Sequence, residues 1–180
     1  MRIALLCNDR IALPALDYLL STGELVAAGM PVRLSETQPV VRERCRREQI
    51  PFRTFEKKHF EAAIHDWLQQ CLPDVVLVKT FPWLIPASVL QLPRHGFINF
   101  HYAPLPAWRG SNPLFWMLRN QATMAGVTVH EMTAAYDEGP ILLQHSIPIG
   151  RNINFGILYT QLAYVGVQLT AQLLTGLQSG

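Results

Sequence analysis

Asn99 and His101 flank Phe100, and Asp137 follows His101 by 36 residues in the run Asp137, Glu138, Gly139, Pro140. An amide, an imidazole and a carboxylate are a working set for moving an acyl group onto an amine. The amide can donate to a developing oxyanion. The imidazole can pass a proton. The carboxylate can orient and charge-balance the imidazole, or take the proton itself. Each residue also has an ordinary reading. Asn99 and His101 can be a strand-end pair satisfied by neighbours, and Asp137 a turn residue bonded to its own backbone. Glu138 competes for the carboxylate role. His130 reads as a supporting partner of the site or as a packed histidine.

The elements that must position these groups are legible as apolar runs. Residues 97–101 read as a strand, which turns Phe97, Asn99 and His101 to one face and Ile98 and Phe100 to the other. Asn99 and His101 then stand about 6.5–7 Å apart, from the rise per residue. Pro104 and Pro106 end the strand. Residues 3–7, 25–32 and 75–78 read as further buried strands, with Gly29 and Pro31 weakening the second. Residues 14–20, 40–49, 61–71 and 86–90 read as helices. This order predicts an α/β fold, Rossmann-like, with a mostly parallel sheet, helices on both faces and right-handed crossovers. Residues 127–132 and 141–149 read as a strand pair flanking Asp137, antiparallel and near the C-terminal end. Asn154 is placed to cap a last helix with Leu158, Leu162, Val165, Leu169 and Leu173 on one stripe.

At 180 residues, 49% of them apolar and 16% charged, the chain reads as one folded domain over residues 1–180. A net charge of +2 is too small to argue for nucleic acid. Arg42, Arg44, Arg46 and Arg47 alternate with Glu43 and Glu48, as on a solvated helix face. Cys7, Cys45 and Cys71 are odd in number and lack CxxC spacing, which argues against disulfides and a metal site. No run is apolar and long enough for a membrane span or signal peptide, so the cytoplasm is the expected location.

Other polar positions fall around the same region. Asn112 and Pro113 read as a helix start, with Asn112 as its cap. Arg109 before it can meet an anionic group near that helix end, or stand in solvent. Asn8, Asp9 and Arg10 follow the first strand where a dinucleotide site would need GxGxxG. No G-x-S-x-G, P-loop or H-E-x-x-H is present.

Taken together, four segments resemble the folate-dependent formyltransferases. They are Asn99-Phe100-His101; the proline-rich run from Pro104 through Arg109 and Gly110; Gly126-Val127-Thr128-Val129-His130; and Asp137-Glu138-Gly139-Pro140. Each is weak alone, but order and spacing match as a set, most firmly over residues 74–149. The start, with Met1 to Ala4 and Leu13 to Leu16, is similar to the branch containing methionyl-tRNA formyltransferase. The resemblance implies 10-formyltetrahydrofolate as formyl donor and no metal. It implies that Asn99, His101 and Asp137 are catalytic. Phe81, Pro82, Trp83 and Leu84 would hold the pterin, largely through backbone groups, with Val89 lining the pocket and the loop at Gly139 closing it. Arg109 and Gly110 would contact substrate.

The loop after the first strand lacks the glycine-rich phosphate-binding pattern of glycinamide ribonucleotide transformylase. The chain's end at residue 180 leaves no room for the extra domain that methionyl-tRNA formyltransferases use on tRNA. The expected partner is therefore a small-molecule amine, without nucleic acid or membrane. The alternatives are hydrolysis of 10-formyltetrahydrofolate and a catalytically inactive folate-binding protein.

Overall fold

The computed structural model describes residues 1–33 and 35–179. Seven strands form one sheet in the order β3-β2-β1-β4-β5-β6-β7. The apolar runs supply its centre: β1 is Ile3–Cys7, β2 Leu25–Pro31, β4 Val75–Lys79 and β5 Phe97–His101. The pairs β1/β2, β1/β4, β2/β3 and β4/β5 are parallel. β6, Met124–Glu131, runs antiparallel to β5, and β7, Ile141–Pro148, antiparallel to β6.

Alternation along the strands explains the layering. Ile3, Leu5 and Cys7 belong to a core shared with α1 (Leu13–Thr22) and α5 (Phe155–Ser179). Ala4 and Leu6 face the opposite core, against α3 (Phe60–Cys71). All five residues of β4 are buried, Lys79 with the apolar run Val75 to Val78, as in a strand covered on both sides.

Several elements depart from the sequence reading. β3, Phe52–Phe55, was not expected. It has only four residues, half of them polar, and its strand character comes from pairing with β2. Helix α2 is Thr37–Arg47, so Pro39 lies in its first turn, where a missing N–H costs nothing. Residues 86–90 yield only a 3-10 turn, Ala87–Val89. β6 starts three residues earlier than the apolar run suggested, at Met124. Asn154 does cap α5, accepting from the Ile157 amide at 2.9 Å. Asn112 precedes α4 (Pro113–Arg119) but makes no side-chain cap, because its backbone is left-handed at φ 57°.

Candidate active site

β5 ends against its antiparallel neighbour, and that register sets the site. Asn99 pairs with His130 and His101 with Thr128. The Asn99 amide donates to His130 Nε2 at 3.1 Å, while His130 Nδ1 lies 2.8 Å from the Glu131 carbonyl. A carbonyl only accepts, so Nδ1 carries the proton and Nε2 is free to accept from Asn99. His130 thus fixes the Asn99 amide and leaves that amide's second N–H for a ligand. The sequence leaves His130 either a supporting partner of the site or a packed histidine. Only the register reveals that it supports Asn99.

His101 is 7% exposed. Its Nε2 donates to the Trp108 carbonyl at 2.5 Å, and its Nδ1 lies 3.6 Å from Asp137 Oδ2. The other carboxylate oxygen is 3.6 Å from His130 Nε2. Burial pushes the His101 pKa below its ordinary 6.5, against the opposing pull of Asp137 and the Trp108 carbonyl. A neutral His101 with its proton on Nε2 presents a bare Nδ1 lone pair toward Asp137. Nδ1 is therefore the imidazole nitrogen placed to exchange a proton with that carboxylate.

Asp137 has left-handed backbone at φ 52°, a conformation that aspartate tolerates better than most residues. Burial works against its charged form. Protons on His130 Nε2 and His101 Nδ1, when those rings are charged, and the Gly110 amide at 2.9 Å outweigh it, so the carboxyl titrates below its ordinary 3.8. Gly139 does not supply the left-handed residue of this turn. Its backbone passes so close to the Glu131 carbonyl that a Cβ would sit 1.8 Å from that oxygen. Only glycine fits there.

The loop after β5 is fastened by Thr128, which is fully buried. Its hydroxyl accepts from the Leu105 amide at 3.0 Å and from Gln144 Nε2 at 2.8 Å, and donates to the Ala103 carbonyl at 2.7 Å. These bonds hold the segment that delivers the Trp108 carbonyl to His101.

Asn99, His101, His130 and Asp137 share one cavity of about 670 Å³ at the carboxyl ends of the strands. Open sheets place ligands there. Phe81, Pro82, Trp83 and Leu84 form one wall. Trp83 packs edge-on against Phe60 and Phe81, with centroids 5.2 and 5.3 Å apart, so its ring is held rather than free. The opposite wall carries Asn8, Asp9, Tyr102 and Tyr159, none of which the sequence assigned to a site. Val89, expected on the pocket wall, is instead fully buried in the α3-side core with Ile85 and Leu90. Arg109 is exposed and pairs with Glu138 at 3.3 Å, and neither lines the cavity. Gly110 lines the cavity, but its amide serves Asp137. No group of metal-ligating side chains occurs among the described residues. No helix among them is long and apolar enough to cross a membrane.

Residues 1–174 match the formyl transferase family. Methionyl-tRNA formyltransferase of Geotalea uraniireducens (strain Rf4) is 33% identical over 187 residues, covering 100% of this chain and 59% of that relative. The chain thus spans about three fifths of that enzyme's length. Glycinamide ribonucleotide transformylase 1 from Symbiobacterium toebii superposes with a TM-score of 0.81 at 24% identity, over 96% of this chain and 84% of that one. A formyltetrahydrofolate deformylase from Pseudomonas syringae pv. tomato str. DC3000 superposes with a TM-score of 0.79 at 18% identity, over 93% and 57% of the two chains. These structural likenesses are likenesses of fold.

Proposed function

Since the chain belongs to the formyl transferase family, we propose that its residues 1–180 act as one catalytic domain that transfers a formyl group from 10-formyltetrahydrofolate to a small-molecule amine. The observation that carries this reading is the meeting of Asn99, His101 and Asp137 in one cavity between an aromatic wall and a polar one. The pterin lies against Phe81, Pro82, Trp83 and Leu84, and the acceptor enters from the side of Asn8 and Asp9.

The acceptor nitrogen attacks the formyl carbon, and the carbonyl oxygen becomes an oxyanion. The Asn99 N–H not used by His130 donates to that oxyanion. His101 Nδ1, when protonated, donates to it as well and is charge-balanced by Asp137. Asp137, directly or through one water, takes the proton from the attacking nitrogen. The carbon–N10 bond of the folate then breaks, and N10 receives a proton as it leaves. The amine ends as a formamide and the folate as tetrahydrofolate. The side chains that do this need no metal.

The deciding experiment incubates the protein with 10-formyltetrahydrofolate and a mixture of metabolite amines, then searches by mass spectrometry for products heavier by one formyl group. A formylated amine supports transfer. Formate released equally with and without amines assigns hydrolysis instead.

A further inference from the structure

The polar wall of the cavity holds one carboxylate besides Asp137. Asp9 follows β1, and its Oδ1 accepts from the Ile11 amide at 3.1 Å and from the Tyr159 hydroxyl at 2.9 Å. Oδ2 has no partner among the described residues, and no cation pairs with Asp9 among them. Burial, then the field of Asp9, pushes the Tyr159 phenol above its ordinary 10.0, so the hydroxyl stays a donor. Asp9, Tyr159 and Phe155 line the catalytic cavity and also a second cavity of about 540 Å³, which opens toward Thr37 and Thr160. The carboxylate therefore stands in the wall that the two cavities share.

Sheet order converts this into a length. β4 separates β1 from β5. At one strand spacing per step, the β1 end lies about 10 Å from the end of β5. Asp9 lies beyond the end of β1 and Asn99 pairs further back in the sheet, so a ligand with its amine at Asn99 and its far end at Asp9 spans at least that distance. At Asp9 it meets a carboxylate oxygen with no protein donor among the described residues. A phosphate there would meet like charge, while a hydroxyl or ammonium would complete the bond. Two arginines argue for the opposite class. Arg33 lines the catalytic cavity and bonds Asn8 at 3.3 Å, and Arg10 lines the second cavity. Neither lies within ion-pair distance of Asp9, so the carboxylate is not neutralised by them.

We infer that Asp9, held by Tyr159, is the specificity contact for the acceptor, and that it selects amines bearing a hydroxyl or second ammonium at the end remote from the reacting nitrogen over amines bearing a phosphate there. This inference rests on the formyl-transfer reading.

The test splits a metabolite amine mixture into phosphate-free and phosphorylated fractions and supplies each to the protein with 10-formyltetrahydrofolate. The formylated product is expected in the phosphate-free fraction. With that product's amine, Asp9→Asn should raise the acceptor KM about tenfold or more, as loss of a charge-assisted hydrogen bond implies. The folate KM and kcat should stay within about threefold, because asparagine keeps the oxygen that accepts from Ile11. Tyr159→Phe should raise the acceptor KM less. A formylated product that carries phosphate overturns the inference and leaves formyl transfer intact. So does an Asp9→Asn enzyme with an unchanged acceptor KM. Absence of transfer in both fractions overturns the formyl-transfer reading, and the subsite with it.

Discussion

Asn99 and His130 stand opposite one another across the β5/β6 ladder, and the Asn99 amide donates to His130 Nε2 at 3.1 Å. The bond aims one N–H of Asn99 into the strand pair and the other toward the cavity. His130→Ala should leave Asn99 free to rotate and lower kcat about tenfold, with little change in folate affinity. Combined with Asn99→Ala it should add almost nothing, because both changes remove the same aimed donor. Steady-state kinetics of the two single variants and the double variant check this. Additive losses would mean that His130 acts independently of Asn99.

Alanine at Asn99, His101 or Asp137 should each cut turnover on the order of 10² or more. Pairs of these changes should fall far short of the product of the singles. Near-native rates for both Asn99→Ala and Asp137→Ala would remove these residues from the chemistry.

The depressed pKa of His101 links stability to pH. An unfolded His101 takes up a proton as pH falls below about 6.5, whereas the folded one resists until lower pH. The unfolded state then binds more protons, so stability falls as pH drops through that window. Asp137 adds a second loss on acidification below about 3.8, where its unfolded form protonates first. Urea unfolding between pH 7.5 and 5 should show a steeper loss for the native protein than for His101→Gln. A variant that loses stability just as steeply would place the effect on another group.

A reduced folate at about 100 times its dissociation constant should add roughly 2.7 kcal/mol. For a chain of this size that is a midpoint rise of about 5–10 °C. NADP should give no comparable rise. Trp83→Ala removes part of the wall formed with Phe81, so the folate-induced rise should shrink as well as the basal midpoint. A full rise in Trp83→Ala would confine Trp83 to the aromatic core beside Phe60.

Lys79 is fully buried, and its Nζ sits 3.2 Å from the Phe100 ring centre with one long bond, 3.4 Å, to the Gly166 carbonyl. Desolvation holds its pKa well below the ordinary 10.5. Below the ordinary 10.5 the unfolded chain holds this proton more tightly than the fold does, so stability falls as pH is lowered from the alkaline side. Lys79→Met should therefore stabilise the protein, on the order of 1–3 kcal/mol at pH 7. The Gly166 carbonyl keeps the Thr170 hydroxyl at 2.6 Å, so methionine leaves no orphan. A lower unfolding midpoint for Lys79→Met would show that the amine contributes more than its burial costs.

The parallel half of the sheet was legible because its strands are apolar runs flanked by turn residues. β1 and β5 were read with their observed ends. β3 was not, because Arg53 and Thr54 acquire strand geometry only from β2. The pattern around Asn99, His101 and Asp137 was legible because two of the three share a strand face. His130 needed the register of β6. Asp9 and Tyr159 are 150 residues apart, and Tyr159 sits on a helix whose apolar stripe conceals a polar tip aimed at the cavity. Val89 packs in the core rather than on the lining of the cavity, because a short apolar segment does not reveal which of its residues faces inward.

The crowding between Gly139 and the Glu131 carbonyl has an operational consequence. The turn that carries Asp137 is located by hard contact between backbone atoms, which neither titrate nor respond to ionic strength. Salt therefore weakens what the carboxylate attracts, but not where the carboxylate stands. Changes in buffer should alter the strength of the electrostatic pull on acceptor and imidazole while leaving the reaction's geometry constant. The trio behaves as a fixed frame with an adjustable field.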